Sequence, residues 1–288
     1  MINLDLPDIK DYLAEHLFGE VAGGDIPKAV NLYNLNHTHN QGNSMKCTGY
    51  CLTHCFEILN TIDLNTEVEF NPEEQWKNQK VYPATGSDKE GDYLQSALKS
   101  LKKFGLTYNG KKYTIDGYAK VSKSEESIKK QLANGYPVYT GAIINRDMDI
   151  TAKSTAIYDY NLFSEKNKFG HCFLIVGYDD EANCWIILNS YGKEYGTNGI
   201  VYLDYKYTNK LFTPYIVYDT DDEAIKKSIF KDITENSPMY EEVKWAKDNG
   251  IVKGYKDSNG DDVFLPNKPI TRAEACVMLK RLHDLINK

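Results

Sequence analysis

Apolar side chains recur at helical spacing through Thr48-Gly49-Tyr50-Cys51-Leu52-Thr53-His54-Cys55-Phe56-Glu57-Ile58-Leu59, a run apolar enough to predict a largely buried helix with Cys47 at its first turn. Residues 94–105 repeat that period and stop on Gly105, and Ser122-x-x-Glu125 reads as a capping box for a helix reaching Asn134-Gly135. From Pro137 the pattern changes to continuous apolar runs. Residues 138–144, 170–180, 184–189, 199–203 and 215–218 predict about five strands, with the hairpin turn between the second and third at Asp179 to Asn183. Near the start, residues 9–18 have an amphipathic pattern that ends at Gly23-Gly24.

Composition narrows the class. The chain has 288 residues, 41% hydrophobic and 26% charged, enough for one or two globular domains. Net charge is −7 and no basic stretch interleaves with aromatics, which argues against nucleic acid as a partner. No apolar run approaches the roughly 20 residues of a membrane span. Met1-Ile2-Asn3-Leu4-Asp5-Leu6 lacks a basic n-region and a long apolar core, so no signal peptide is expected in this chain. Cys51 and Cys55 lie one helical turn apart, about 5–6 Å between Cβ atoms and beyond disulfide reach. Cys172 and Cys184 fall out of register across the hairpin, so reduced thiols are expected.

The chemistry concentrates in two strings. In the first, Asn40-Gln41-Gly42-Asn43-Ser44-Met45-Lys46-Cys47, the thiol sits where a helix N-terminus and a neighbouring imidazolium favour thiolate. Gln41 can place its amide beside the Cys47 backbone N–H, giving two donors for an oxyanion. In the second, His171 opens an apolar strand and Asn189 closes the next, so the amide carbonyl can orient the imidazole across the ladder. His54 is a rival base, but seven helical residues put it about 10 Å from Cys47. His37 and His39 form a His-x-His pair without a third ligand string, and are set aside; no metal and no cofactor is expected.

With these strings the chain resembles the papain-like (C1) cysteine peptidases over residues 28–219. The Cys-to-His and Cys-to-Asn separations are close to the about 130–150 residues of that family. The resemblance implies an α+β fold, with a helical lobe that carries Cys47 facing an antiparallel β-barrel lobe that carries His171 and Asn189. It implies Cys47 as nucleophile, His171 as general acid/base, Asn189 as imidazole orienter and Gln41 as oxyanion donor, acting on a protein or peptide substrate. Met45, Lys46, Gly170 and Tyr191 are expected to line the cleft, with Met45 and Lys46 making it narrower and more cationic than is usual. The sequence departs from the family where Ser44-Met45-Lys46-Cys47-Thr48 replaces a Cys-Gly-Ser-Cys-Trp kind of string. Tyr191 and Tyr195 likewise stand for tryptophans. Residues 1–27 form an N-terminal extension, too short for a full inhibitory pro-segment of that family and read as packing on the domain, with a residual pro-segment as the alternative.

A composition break at Asp219-Thr220-Asp221-Asp222-Glu223-Ala224 predicts a linker. Beyond it, residues 228–288 carry Trp245-Ala246-Lys247-Asp248-Asn249-Gly250 and Ile270-Thr271-Arg272-Ala273-Glu274. A helix stopped at Gly250 and a second capped by Thr271 with Glu274 at its third position fit this pattern. These strings resemble one S-layer homology (SLH) module, expected as a small α-helical unit. The resemblance implies binding of secondary cell-wall polysaccharide, with Asp232, Trp245 and Arg272 as glycan-side candidates. It places the chain outside the cell, on a bacterial surface or a phage particle. A lone module leaves apolar positions such as Val243, Ala246, Cys276, Leu279, Leu282 and Leu285 to cover, which suggests a homotrimer. The joint reading is a thiol endopeptidase associated with the cell envelope. The alternatives are a phage lysin or virion peptidase cutting wall peptides, and a non-catalytic wall-binding protein.

Overall fold

The computed structural model describes residue 14 and residues 25–81, 91–145, 157–158, 168–218, 229–233, 237, 239–257, 262–266 and 268–286. The pattern at 219–224 and most of residues 1–27 lie outside them. Helix α1 (Cys47–Leu64) is buried from Cys47 through Ile58, as its apolar run predicts. Helices α2 (Pro72–Val81) and α3 (Leu94–Phe104) pack beside it, and Gly105 ends α3 at φ 63°. Helix α2 has no apolar stripe to announce it. It is held by side-chain amides instead: Gln75 Nε2 donates to the Ala97 carbonyl and Ser100 Oγ at 3.0 Å each, and Gln79 Nε2 to Thr48 Oγ1 at 2.9 Å.

Strands β1 (Ala29–Asn31), β4 (Gly117–Lys120), β5 (Val138–Ile144), β6 (Ile157–Tyr158), β7 (Phe169–Asp179), β8 (Cys184–Leu188), β9 (Ile200–Asp204) and β10 (Tyr215–Tyr218) form one sheet. Its order is β4-β10-β5-β7-β8-β9-β6, with β1 added to β7. The pairings are antiparallel except β6 with β9. A separate hairpin joins β2 (Leu106–Tyr108) to β3 (Lys111–Tyr113). Helix α4 (Glu125–Ala133) ends at Asn134 as predicted, but its cap is Ser124, whose hydroxyl accepts the Ser127 N–H at 3.1 Å. Ser122 therefore lies outside the helix, and the Ser122/Glu125 box is corrected by two residues.

Strand β7 divides the core. Cys172, Leu174 and Val176 face the helices with Cys51, Leu52, Phe56 and Tyr139, whereas Phe173, Ile175 and Tyr178 face the other way with Ile128, Leu132 and Trp185. Ala14 is buried in that second cluster. Among the described residues no helix is long and apolar enough to cross a membrane.

The module has its own small core of Phe230, Ile233, Val243, Ile251 and Val252. Helices α5 (Tyr240–Asp248) and α6 (Arg272–Ile286) hold 9 and 15 residues, joined through a hairpin of β11 (Tyr255–Lys256) and β12 (Asp262–Val263). The expectation of an α-helical unit is thus corrected to a largely non-helical one. Gly250 and Gly254, both at φ 70°, and Pro266 and Pro269 keep the connection irregular. The predicted capping box is present: Thr271 N–H donates to Glu274 Oε2 at 2.8 Å and Glu274 N–H to Thr271 Oγ1 at 3.1 Å.

Gly141 fixes the sheet where it matters for the site. It pairs with Cys172 on β7, and a Cβ there would sit 2.2 Å from the His171 carbonyl oxygen and 3.0 Å from the Cys172 Cα. Both are backbone atoms, which cannot swing aside. Gly141→Ala should therefore cost about 1–3 kcal/mol of stability and displace the His171 end of β7. Urea unfolding together with hydrolysis of a peptide substrate checks this, and an unchanged midpoint would show that the ladder relaxes freely.

Candidate active site

Residues 39–41 run antiparallel to 190–192. Gln41 N–H donates to the Ser190 carbonyl at 2.8 Å, Asn40 bridges Tyr191, and Gly192 N–H donates to the His39 carbonyl at 3.1 Å. This ladder sets Gln41 beside the end of β8. Its amide orientation is fixed by partners of known sense: Nε2 donates to the Ser44 carbonyl at 2.8 Å and Oε1 accepts the Ser190 hydroxyl at 2.6 Å. One amide hydrogen remains for another acceptor.

Asn189 is fully buried. Its Oδ1 accepts the Ser190 N–H at 2.8 Å and lies 2.8 Å from His171 Nε2. An oxygen that already accepts a backbone N–H can only accept from the ring as well, so Nε2 carries hydrogen and Nδ1 of the neutral imidazole is left as the base. Tyr191 stacks on this ring at 5.0 Å between centroids and 5° between planes, its hydroxyl 3.5 Å from Nδ1. Tyr195 packs edge-on against Tyr191. Tyr191 thus lies over the imidazole, with Tyr195 behind it.

Cys47 occupies the first residue of α1, where no side chain caps the helix. The Tyr139 hydroxyl donates to the Thr48 carbonyl at 3.0 Å and anchors this turn to β5. The backbone N–H of Cys172, the neighbour of His171, lies within reach of the thiol. Burial pushes it up to about 12, helped by the Cys172 thiol and opposed by the N–H groups of Cys172 and Thr48. Burial likewise pulls His171 down to about 4 against the Asn189 hydrogen bond. The expectation of a thiol lowered by the helix start is thus reversed, because desolvation outweighs the helix end. Thiol and imidazole rest neutral.

Gly170 is buried in β7 opposite Ile143, and Met45 and Lys46 are half-buried ahead of α1. Lys46 Nζ contacts both carboxylate oxygens of Glu73, at 2.8 and 2.9 Å, and Tyr50 also donates to Glu73 at 2.7 Å. The cationic cleft expected from Lys46 is corrected to an ion-paired one. His54 is buried and accepts the His39 N–H through Nε2, as fits a core histidine. None of the six cysteines forms a disulfide, and only Cys276 is exposed. In the module, Asp232 is buried and its two oxygens accept the N–H groups of Phe264 and Leu265 at 2.7 Å each. It is a structural brace and not open to a sugar, whereas Trp245 and Arg272 are exposed.

The profile of the papain family of cysteine proteases matches residues 34–213, the span that carries all four candidate residues. The chain belongs to this family. An S-layer homology domain matches residues 229–276. A peptidase C1-like protein of Acanthamoeba polyphaga mimivirus is 23% identical over 242 residues, covering 72% of this chain and 78% of the relative. A cathepsin B-like protein of Giardia intestinalis is 34% identical over 90 residues, and a cysteine proteinase of Brassica napus 26% over 184 residues. The papain-family chain spans 29% and 46% of those two relatives. Xylellain, a cysteine protease from Xylella fastidiosa, superposes with a TM-score of 0.62 at 20% identity, over 76% of this chain and 95% of that one. Digestive procathepsin L 3 of Tenebrio molitor gives 0.56 at 16% identity, over 73% and 76%. At these identities the two structures speak to the fold alone.

The stacked ring separates two roles of Tyr191. Tyr191→Ala should lower kcat/KM about tenfold by letting water compete for the His171–Asn189 bond, whereas Tyr191→Phe keeps the cover and should stay near wild type. Equal losses in the two variants would assign the effect to the hydroxyl.

Proposed function

We propose that the papain-family domain, residues 28–219, is a thiol endopeptidase working through Cys47, His171, Asn189 and Gln41. The observation that carries this reading is the 2.8 Å His171 Nε2–Asn189 Oδ1 bond beside the stacked Tyr191 ring, which leaves Nδ1 as the acceptor nitrogen, together with Cys47 at the first residue of α1 and its thiol beside the N–H of Cys172, the neighbour of His171. With both groups neutral at rest, the Cys47 proton passes to His171 Nδ1 as Sγ bonds to the carbonyl carbon. The resulting oxyanion accepts hydrogen bonds from the Cys47 N–H and the remaining Gln41 amide hydrogen. His171 then gives its proton to the departing amine, leaving a thioester. Water, deprotonated by the same nitrogen, cleaves the thioester and restores the thiol.

Cys47→Ala should abolish hydrolysis while keeping the fold, and His171→Ala should lose about 10³-fold or more. Asn189→Ala should be milder, and the double variant little worse than His171→Ala, because the amide acts only through the ring. Activity should fall on the acid side as His171 takes up its proton at about 4. Steady-state kinetics on an unfolded protein substrate checks all of these. Undiminished activity in Cys47→Ala would overturn the assignment.

The S-layer homology module, residues 228–288, would hold this peptidase at a bacterial cell envelope through secondary wall polysaccharide, with Trp245 as a stacking face and Arg272 as a donor fork. Of the apolar positions expected to need cover, Val243, Ala246, Leu282 and Leu285 pack in the module's own core, so the trimer rests on exposed Cys276 and Leu279, with Val277 and Ile286 beside them on α6, which three copies with closed symmetry would cover. Light scattering should report a trimer for the intact chain and a monomer for residues 1–219. A monomeric intact chain at micromolar concentration removes the trimer.

A further inference from the structure

The sequence offered His37 and His39 without a third ligand, and α1 supplies one. Glu57 projects from α1 with its side chain fully buried. Its Oε1 lies 2.7 Å from His39 Nε2 and also accepts the Phe70 N–H at 2.7 Å. Its Oε2 lies 3.1 Å from His37 Nε2, close enough for an ion pair but poorly aligned for a hydrogen bond. The three ligand-bearing side chains bring one atom each within 4.8 Å of one another. A buried carboxylate that meets two ring nitrogens in poor hydrogen-bond geometry offers three donor atoms that one cation can share.

The surroundings are built as a metal's outer shell is built. His37 turns its other nitrogen, Nδ1, to Glu67 Oε1 at 2.9 Å, and Glu67 is itself held by the Asn36 N–H at 2.7 Å and Asn36 Nδ2 at 2.9 Å. A carboxylate on Nδ1 fixes the tautomer that leaves Nε2 free to ligate. The His39 ring is clamped by stacking on His54 at 4.9 Å between centroids. Side-chain exposures of 16% for His37 and 11% for His39 leave an approach from solvent. Two imidazoles and a carboxylate suit Zn²⁺, whose bonds of about 2.0–2.2 Å to such ligands leave one position for water.

We propose that His37, His39 and Glu57 form a divalent-cation site, suited to Zn²⁺, separate from the catalytic thiol. Glu57 stands ten residues along α1 from Cys47, about 15 Å by helical rise. The ion would tie the middle of α1 to the segment that leads into Gln41. This inference is independent of the proposed proteolysis, since its readout is binding.

The full chain, stripped with a chelator and titrated with Zn²⁺ against a fluorescent zinc indicator, should take up one equivalent and melt at higher temperature. Co²⁺ in its place should give d–d bands without a thiolate charge-transfer band, which separates this site from the six cysteines. His37→Gln and His39→Gln should each weaken uptake by more than about 100-fold, and Glu67→Gln by about 10–100-fold through the outer shell. Circular dichroism of each metal-free variant verifies its fold, and Glu67→Gln remains informative if Glu57→Gln does not fold. No uptake by the folded chain, uptake unchanged in the histidine variants, or binding only with thiolate charge transfer would each overturn the site.

Discussion

Everything in the peptidase domain hangs on β7, a strand buried on both faces and paired along both edges. Its even positions from Cys172 to Val176 close the core under α1, and Phe173, Ile175 and Tyr178 close the one under α4. An eleven-residue strand with that much apolar surface removed from water on each side has one register only, because a slip of one residue would exchange the two faces. The register delivers His171 opposite Ala142, places Cys172 under the Cys47 thiol and, through β8, brings Asn189 to the imidazole. The functional geometry is a by-product of a packing constraint.

The same burial sets the electrostatics. A thiol at a helix start is ordinarily easier to ionise, but here the lost hydration dominates and both members of the pair are held neutral. The polar groups nearby are consistent with this: Gln41 and Asn189 are buried amides held by backbone partners, the Ser190 hydroxyl donates to Gln41 Oε1, and Lys46, just ahead of the helix, is matched by Glu73. On the proposed mechanism, charge develops only when substrate carbonyl and thiol meet, in front of donors already held in place.

Legibility in the sequence followed the strength of the local pattern. The helices at 47–64 and 94–104 and the hairpin of β7 and β8 announce themselves by period and by glycine or asparagine stops, and Gln41, Cys47, His171 and Asn189 follow from them. Helix α2 did not, since Glu73, Gln75, Lys77 and Gln79 give it no apolar stripe and its stability comes from buried amide contacts made in the tertiary structure. Strands β1 and β6, of three and two residues, are too short for a period and exist because longer neighbours offer them an edge. Ser124 and not Ser122 caps α4, a choice between two near-equivalent serines that only the backbone makes. Asp232 reads like a sugar ligand yet folds inward, and Glu57 reads like a buried helix residue yet meets two histidines distant in sequence. Both depend on contacts between segments, which no local string encodes.

Cys276 has a different consequence. It is the one cysteine open to solvent, on the outward side of α6, while the other five are enclosed in the peptidase domain. Disulfide exchange follows access, so in an oxidising medium the folded protein presents one reactive handle, far from the nucleophile in sequence and on the module rather than the enzyme. Two chains joined there would form a covalent pair without loss of any peptidase residue, and a dye or tether attached there would report on the module alone.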